Sequence, residues 1–280
     1  MLSQPSVLVI DDFSEPSSHA LIFAEKLRKI TNGSLLVAFP IFSFLEEQVS
    51  LINIEDNIQK HLEELGVIAQ SEILEGDFLS SLKKLIHRET IDFLILGETL
   101  THPFIGSSFV QASNIVDKID IPLLIIRKPD PIERVDVLID PRYSMDKLIN
   151  LGEEFSALLS SQLGIVSIWQ ESTLSEHLST RMGYPYLSTD ISEEQRSLFL
   201  RKLQSIIRHR VSQYITTDVQ VDLPRSKDVS NQLLEIINHD HANLIIIQKH
   251  QKRSLQTLLK KSPLHKIINN FEGNILICPS

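Results

Sequence analysis

Two aspartates stand where apolar runs stop. Ser6-Val7-Leu8-Val9-Ile10-Asp11-Asp12-Phe13-Ser14 opens one half of the chain, and Val135-Asp136-Val137-Leu138-Ile139-Asp140-Pro141-Arg142-Tyr143-Ser144 opens the other. Asp12 and Asp140 lie 128 positions apart, close to the length of one small α/β domain. A carboxylate at the end of a buried strand has two common uses. It can accept hydrogen bonds from a base or ribose, or it can close the adjoining turn. For Asp140 both stay open, the second including a pairing with Arg142.

A second group is cationic. Lys249, His250, Lys252, Arg253, Lys260 and Lys261 make one loop basic in a chain of net charge −9. Side-chain cations can hold a phosphate or another anion. The alternative, which we favour, is a solvated loop, since charge runs mostly mark exposed faces. His239-Asp240-His241 has metal-ligating types but no further ligands at recognisable spacing. It reads as a polar helix end, where histidines suit the dipole. Gly106-Ser107-Ser108 lacks the second glycine of a nucleophile elbow and reads as a cap on a following helix. Trp169 and Phe39 end matching strands, where core packing and a ligand wall are both open and the core is favoured.

Strands alternating with helices must position these residues. In the first half the strands are 7–10, 35–39, 70–74, 93–96 and 123–126. Ser17 or Ser18 is expected to cap a helix carrying Ala20, Leu21, Ala24, Leu27 and Ile30, which Asn32-Gly33 ends. Ile54, Ile58, Leu62 and Leu65 mark a second helix, and Leu79, Leu82, Leu85 and Ile86 a third. The second half repeats the order, with strands 137–139, 165–169, 219–223, 244–247 and 275–277. Ser192-Glu193-Glu194-Gln195 has the form of a capping box before a long helix with Phe199, Leu203, Ile206, Ile207 and Val211 on one face. Uninterrupted apolar strands between helices imply parallel sheets covered on both faces. Such sheets take ligands beyond the carboxyl ends of their strands, where Asp12, Gly97, Asp140 and Gln248 fall.

Composition narrows the classes. The chain has 280 residues, 42% hydrophobic and 22% charged, enough for two globular domains. The acidic balance argues against nucleic-acid binding. A single cysteine, Cys278, cannot form an internal disulfide, and no signal peptide is expected from the opening residues. No run of about 20 apolar residues occurs, so no membrane insertion is expected. A cytoplasmic location is the expectation. Domains are expected at 1–128 and 132–280, with residues 129–131 as a stiff polar linker.

The first strand ending in Asp12-Phe13-Ser14 resembles the opening of the universal stress protein family. So does the passage from Asp92-Phe93-Leu94-Ile95-Leu96-Gly97 through Ile121-Pro122-Leu123-Leu124-Ile125-Ile126, and the resemblance recurs in the second half. It implies an α/β chain of two tandem five-stranded parallel-sheet domains, adenine nucleotide alpha hydrolase-like, arranged as a pseudo-two-fold pair. It also implies further pairing into a homodimer, an unidentified protein partner, and ATP, AMP or another anion as ligand. Nucleotide-binding members carry Gly, two residues, Gly, nine residues, Gly, then Ser or Thr, so that backbone amides close around a triphosphate.

Both halves depart from that loop. In the first, Gly97 matches, but Leu100 stands at the second glycine, and Val110-Gln111 stand at the final Gly-Ser. In the second, Gln248, Gln251 and Lys261 replace the glycines, and only Ser262 matches. A side chain forced into the left-handed region costs about 1–2 kcal/mol, and its Cβ also blocks a phosphate. The expectation is therefore a non-catalytic stress-response binding or regulatory protein with family-style ATP binding lost or altered. A ligand, if bound, would meet Asp12, Gly97, Gly106, Ser107 and Ser108 in the first half. In the second it would meet Asp140, Gln248, His250, Lys261 and Ser262. An anion sensor using Asp140 and loop 249–261 is the alternative, and a nucleotide hydrolase a weaker one. Asp11-Asp12 also resembles the acidic pair of a response-regulator receiver. The strand 93–96 ends in Gly97 instead of a phosphoacceptor aspartate, which counts against that reading.

Overall fold

The structure, a computed structural model, describes residues 3–40, 51–101, 108–111, 115–129, 131–139, 146–168, 194, 197–198, 201, 205, 209, 218–222, 229–239, 241–249 and 263–279. The chain divides into two compact units. One is Met1–Pro131 together with Glu272–Ser280, and the other is Ile132–Phe271.

In the first unit the order is β1 (Ser6–Ile10), α1 (Glu15–Thr31), β2 (Ser34–Pro40), α2 (Leu51–Glu64), β3 (Gln70–Leu74), α3 (Phe78–Glu89), β4 (Phe93–Gly97), β5 (Thr99–Thr101), β6 (Ser108–Gln111) and β7 (Leu123–Ile126). Five strands form a parallel sheet in the order β3-β2-β1-β4-β7. The reversal of winding falls between β1 and β4, the switch point at whose carboxyl ends sheets of this kind take ligands. Residues 274–278 (β12) return to pair antiparallel with β7, matching Ile275 with Ile125 and Ile277 with Leu123. Segment 272–280, expected at the end of the second domain, therefore counts with the first unit. Val7–Ile10, Phe93–Leu96 and Leu123–Ile126 are buried throughout, as continuous apolar strands between two layers must be. Cys278 is buried on β12, and desolvation pushes its thiol up to about 12.

The second unit repeats the plan with β8 (Arg134–Ile139), α4 (Asp146–Leu159), β9 (Gln162–Ile168), β10 (Asp218–Asp222), α5 (Val229–His239), β11 (Leu244–Gln248) and α6 (Pro263–Asn270). Its parallel order β10-β9-β8-β11 is that of β3-β2-β1-β4. The helix after the first strand packs on that strand in both units, α1 on β1 and α4 on β8. Residues 194, 197, 198, 201, 205 and 209 are helical, within the expected long helix. Its capping residue Ser192, its apolar face and Trp169 lie outside the described residues. Phe39 is buried, as expected.

Two expectations are corrected. The cap of α1 is Ser14, not Ser17 or Ser18. Pro16 in the first turn starts the helix earlier, and the Ser14 Oγ accepts from the Ser17 amide at 3.3 Å. Ser17 is buried instead. The second correction concerns Gly106-Ser107-Ser108. Ser108 does not cap a helix; it opens β6, which runs antiparallel to β5. The β-prone sequence Thr99-Leu100-Thr101 makes an extended ladder the better local conformation.

Candidate functional site

The site grows from the end of β1. Asp11 prolongs the ladder, its amide donating to the Ala38 carbonyl at 3.0 Å, and its side chain is fully buried. A buried carboxylate needs donors for both oxygens. Oδ1 accepts from the Ser17 hydroxyl at 2.5 Å and from the Phe13 amide at 2.9 Å. Oδ2 takes the Nε2 of His61, on the last turn of α2, at 2.9 Å. That hydrogen bond holds the imidazole above its ordinary range, against the opposing effect of burial.

Asp12 closes its own turn. Its Oδ1 accepts from the Ser14 hydroxyl at 2.5 Å and the Ser14 amide at 3.1 Å, while its amide reaches the Ser17 hydroxyl at 3.4 Å. Between the two aspartates and the helix sits Phe13, left-handed at φ 64°. A bulky side chain there costs about 1–2 kcal/mol. Contacts compensate: its ring lies 5.1 Å from Phe39 and 4.9 Å from His61, centroid to centroid. It remains 39% exposed.

Gly97 ends β4 beside this turn. A Cβ there would stand 2.6 Å from the Pro16 carbonyl carbon and 2.9 Å from the Ser17 amide nitrogen. The glycine lets the first turn of α1 rest on the strand. Glu98 follows and pairs with Arg127 at 3.1 Å, a guanidinium whose pKa burial lowers. Asn274 completes this corner, accepting from the Arg127 and Lys128 amides at 2.8 and 3.2 Å.

The structure thus brings Asp12 and Gly97 to one edge, as the sequence implies. Ser108 lies in β6. Gln248 ends β11, beside β8, and is partly buried. Gly106, Ser107, Asp140, His250, Lys261 and Ser262 lie outside the described residues. His239 ends α5, in accord with a polar helix end, and among the described residues no three metal-ligating side chains gather. Sequence reasoning missed Asp11, Ser17 and His61 as a set. A signal existed: His61 follows Ile54 and Ile58 at helical spacing, so it shares their inward face.

Ser17 Oγ donates to the Asp11 carboxylate and not to an imidazole, so the Ser–His–Asp order of a nucleophilic triad is not reproduced here. Leu100 and Val110, at the second and third glycine positions, are register partners in the β5–β6 ladder, and Thr99 pairs with Gln111.

Comparison with solved structures identifies the fold. A universal stress protein from Archaeoglobus fulgidus DSM 4304 superimposes with a TM-score of 0.64 at 15% identity, over 98% of this chain and 98% of that one. A candidate universal stress protein from Pseudomonas aeruginosa UCBPP-PA14 gives 0.69 at 12%, over 99% and 94%. A protein of unknown function from Pseudomonas aeruginosa PAO1 gives 0.68 at 12%, over 99% and 93%. No protein-family model matches the chain, and no curated protein is significantly similar in sequence. The fold is that of the tandem universal stress proteins. Among the described residues, no helix is long and apolar enough to cross a membrane.

Proposed function

We propose that this chain is a non-catalytic binding or regulatory protein of the stress response, in which the first copy no longer takes ATP in the family manner. The pairing of Leu100 with Val110 carries the reading. A ladder spends its amides on the neighbouring strand, whereas a phosphate cradle needs them converging on one point. The closed turn of Asp12 supports the same view, since Ser14 supplies two of its hydrogen bonds. Cytoplasmic residence, a protein partner and self-association belong to this proposal.

A thermal-shift series with ATP, ADP, AMP and cyclic nucleotides tests it. A ligand held at about a hundred times its dissociation constant stabilises the native state by about 2.7 kcal/mol, a rise of several degrees. No shift with any nucleotide is expected of a scaffold. A shift with ATP that survives Asp140→Ala and Lys261→Ala but is lost in a first-copy variant, Asp12→Ala, would overturn the reading.

The second reading is an anion or nucleotide sensor built on Asp140 and the basic loop 249–261, favoured by the six cationic or imidazole side chains there. It predicts a shift abolished by Asp140→Ala or Lys261→Ala. Phosphate release from ATP with magnesium would instead indicate a hydrolase.

A further inference from the structure

We propose that Asp11 and His61 form a proton-sensitive latch that fastens the end of α2 to the carboxyl edge of β1. It goes beyond the ligand question and stands whether or not a nucleotide binds. Asp11 is fully buried, and its oxygens divide their work. Oδ1 is held within the turn by Ser17 and Phe13. Oδ2 is held by His61, fifty residues away in sequence and on another element. The turn therefore satisfies one oxygen by itself and leaves the other to α2.

Protonation sets the strength of that link. With the imidazolium present, the contact is an ion pair with a charge-assisted hydrogen bond. With neutral imidazole, Nε2 still donates, but to about half the effect. Among the described residues, the two carboxylates that act on His61 both favour its cation. Asp11 faces it from the exit of β1, and Glu64 of its own helix also favours the cation. Asp12 lies one residue beyond Asp11, its Oδ1 turned to Ser14. Phe13 covers the ring from the β1 side without charge. Burial opposes the cation, with the imidazole side chain only 17% exposed, but the Asp11 hydrogen bond outweighs it.

The sign follows by linkage. A histidine whose folded pKa is raised contributes stability that is complete below its unfolded value, about 6.5, and is lost as pH rises through the folded value. The latch is closed on the acid side and loosens on the alkaline side. Ile58 and Leu62 are buried and do not depend on the His61 contact, so the change is local to the last turn of α2. Phe13 is coupled to it, because its left-handed turn leans on the His61 ring. Acidification thereby stiffens the edge at which the first unit would meet a ligand or partner.

Histidine-ring NMR and amide hydrogen exchange on the full chain test this. One imidazole signal, removed by His61→Gln, is expected to titrate above about 6.5. After correction for the base-catalysed intrinsic rate, exchange at Leu62–Leu65 is expected to rise between pH 5 and pH 9. The rise is about tenfold for each pH unit by which pairing raises the imidazole. His61→Gln, which keeps a neutral donor, should give flat protection across that range, and Asp11→Asn should bring the imidazole down to or below its ordinary value, since burial then lacks its main opponent. Should Asp11→Asn fail to fold, His61→Gln alone decides. A pH-independent exchange profile in the unmodified protein, or an unchanged pH dependence in His61→Gln, overturns the latch.

Discussion

Asp136 lies directly beside Gly164 across the β8–β9 ladder, and a Cβ on that glycine would run into the Asp136 carboxylate and the Arg134 guanidinium. The equivalents 128 positions earlier are Leu8 and Leu36, register partners in β1 and β2. One copy thus fills this place with two leucines, and the other with an ion pair, Arg134 Nε to Asp136 Oδ1 at 2.9 Å, over an absent side chain. The substitutions are mutually dependent: a carboxylate with its guanidinium needs the volume that the second leucine vacates.

Gly164→Ala should therefore cost about 1–3 kcal/mol, the usual penalty for forcing atoms into a filled interior. In an Asp136→Ala background the same change should cost much less, because the carboxylate is gone and the Arg134 guanidinium, no longer held by it, is the far end of a flexible side chain that can move aside. Urea unfolding of the four proteins measures the coupling, expected above about 1 kcal/mol for side chains in direct contact. Strict additivity would show that Gly164 and Asp136 do not share this space.

Glu25 gives a prediction at low pH. It is a buried carboxylate on α1, bonded by Arg28 at 2.6 and 2.9 Å and paired with Lys29 at 3.2 Å. The Arg28 hydrogen bond, with help from Lys29, holds its pKa below the usual carboxylate range although burial pulls the other way. A depressed folded value means stability that is present above the unfolded pKa, near 4.5, and is lost as pH falls through the folded one. Stability should fall below about pH 4.5 in the unmodified protein, and Glu25→Gln should remove about 1 kcal/mol of that slope. Acid titration of the unfolding midpoint checks it. Identical acid limbs in the two proteins would remove Glu25 from the account.

Much of this fold was legible because buried parallel strands write themselves as unbroken apolar runs. Val7–Ile10, Phe93–Leu96 and Leu244–Ile247 could hardly be anything else, and the helices between them carry plain 3.6-residue spacing. The site was legible only in part. Asp12 and Gly97 were found because strand ends in such sheets gather at one edge. The Asp11–His61 contact spans fifty residues, and periodicity says which face His61 occupies, not which strand end that face will meet. The β5–β6 ladder escaped notice for another reason. A short pair of strands with only three and four residues has no period to read, and the nearby Gly106-Ser107-Ser108 fits a cap equally well.

Gly97 separates two explanations that the sequence leaves entangled. In the nucleotide-binding pattern its place is the first glycine of a phosphate cradle. In this chain the space above its Cα is already taken by backbone, with the Pro16 carbonyl carbon 2.6 Å, its oxygen 2.7 Å and the Ser17 amide nitrogen 2.9 Å from where a Cβ would sit. Backbone in the first turn of a capped helix cannot swing aside as a side-chain tip can. Gly97→Ala must push α1 off β4, and with it the Ser17 hydroxyl off Asp11. The expected result is a loss of about 1–3 kcal/mol in urea unfolding without any nucleotide present, at an unchanged dependence on denaturant. Loss of a ligand in this variant would accordingly report a displaced helix before it reported a missing phosphate contact. Stability within about 0.5 kcal/mol of the unmodified protein would mean the helix has room to move, and the packing role assigned to Gly97 would fall.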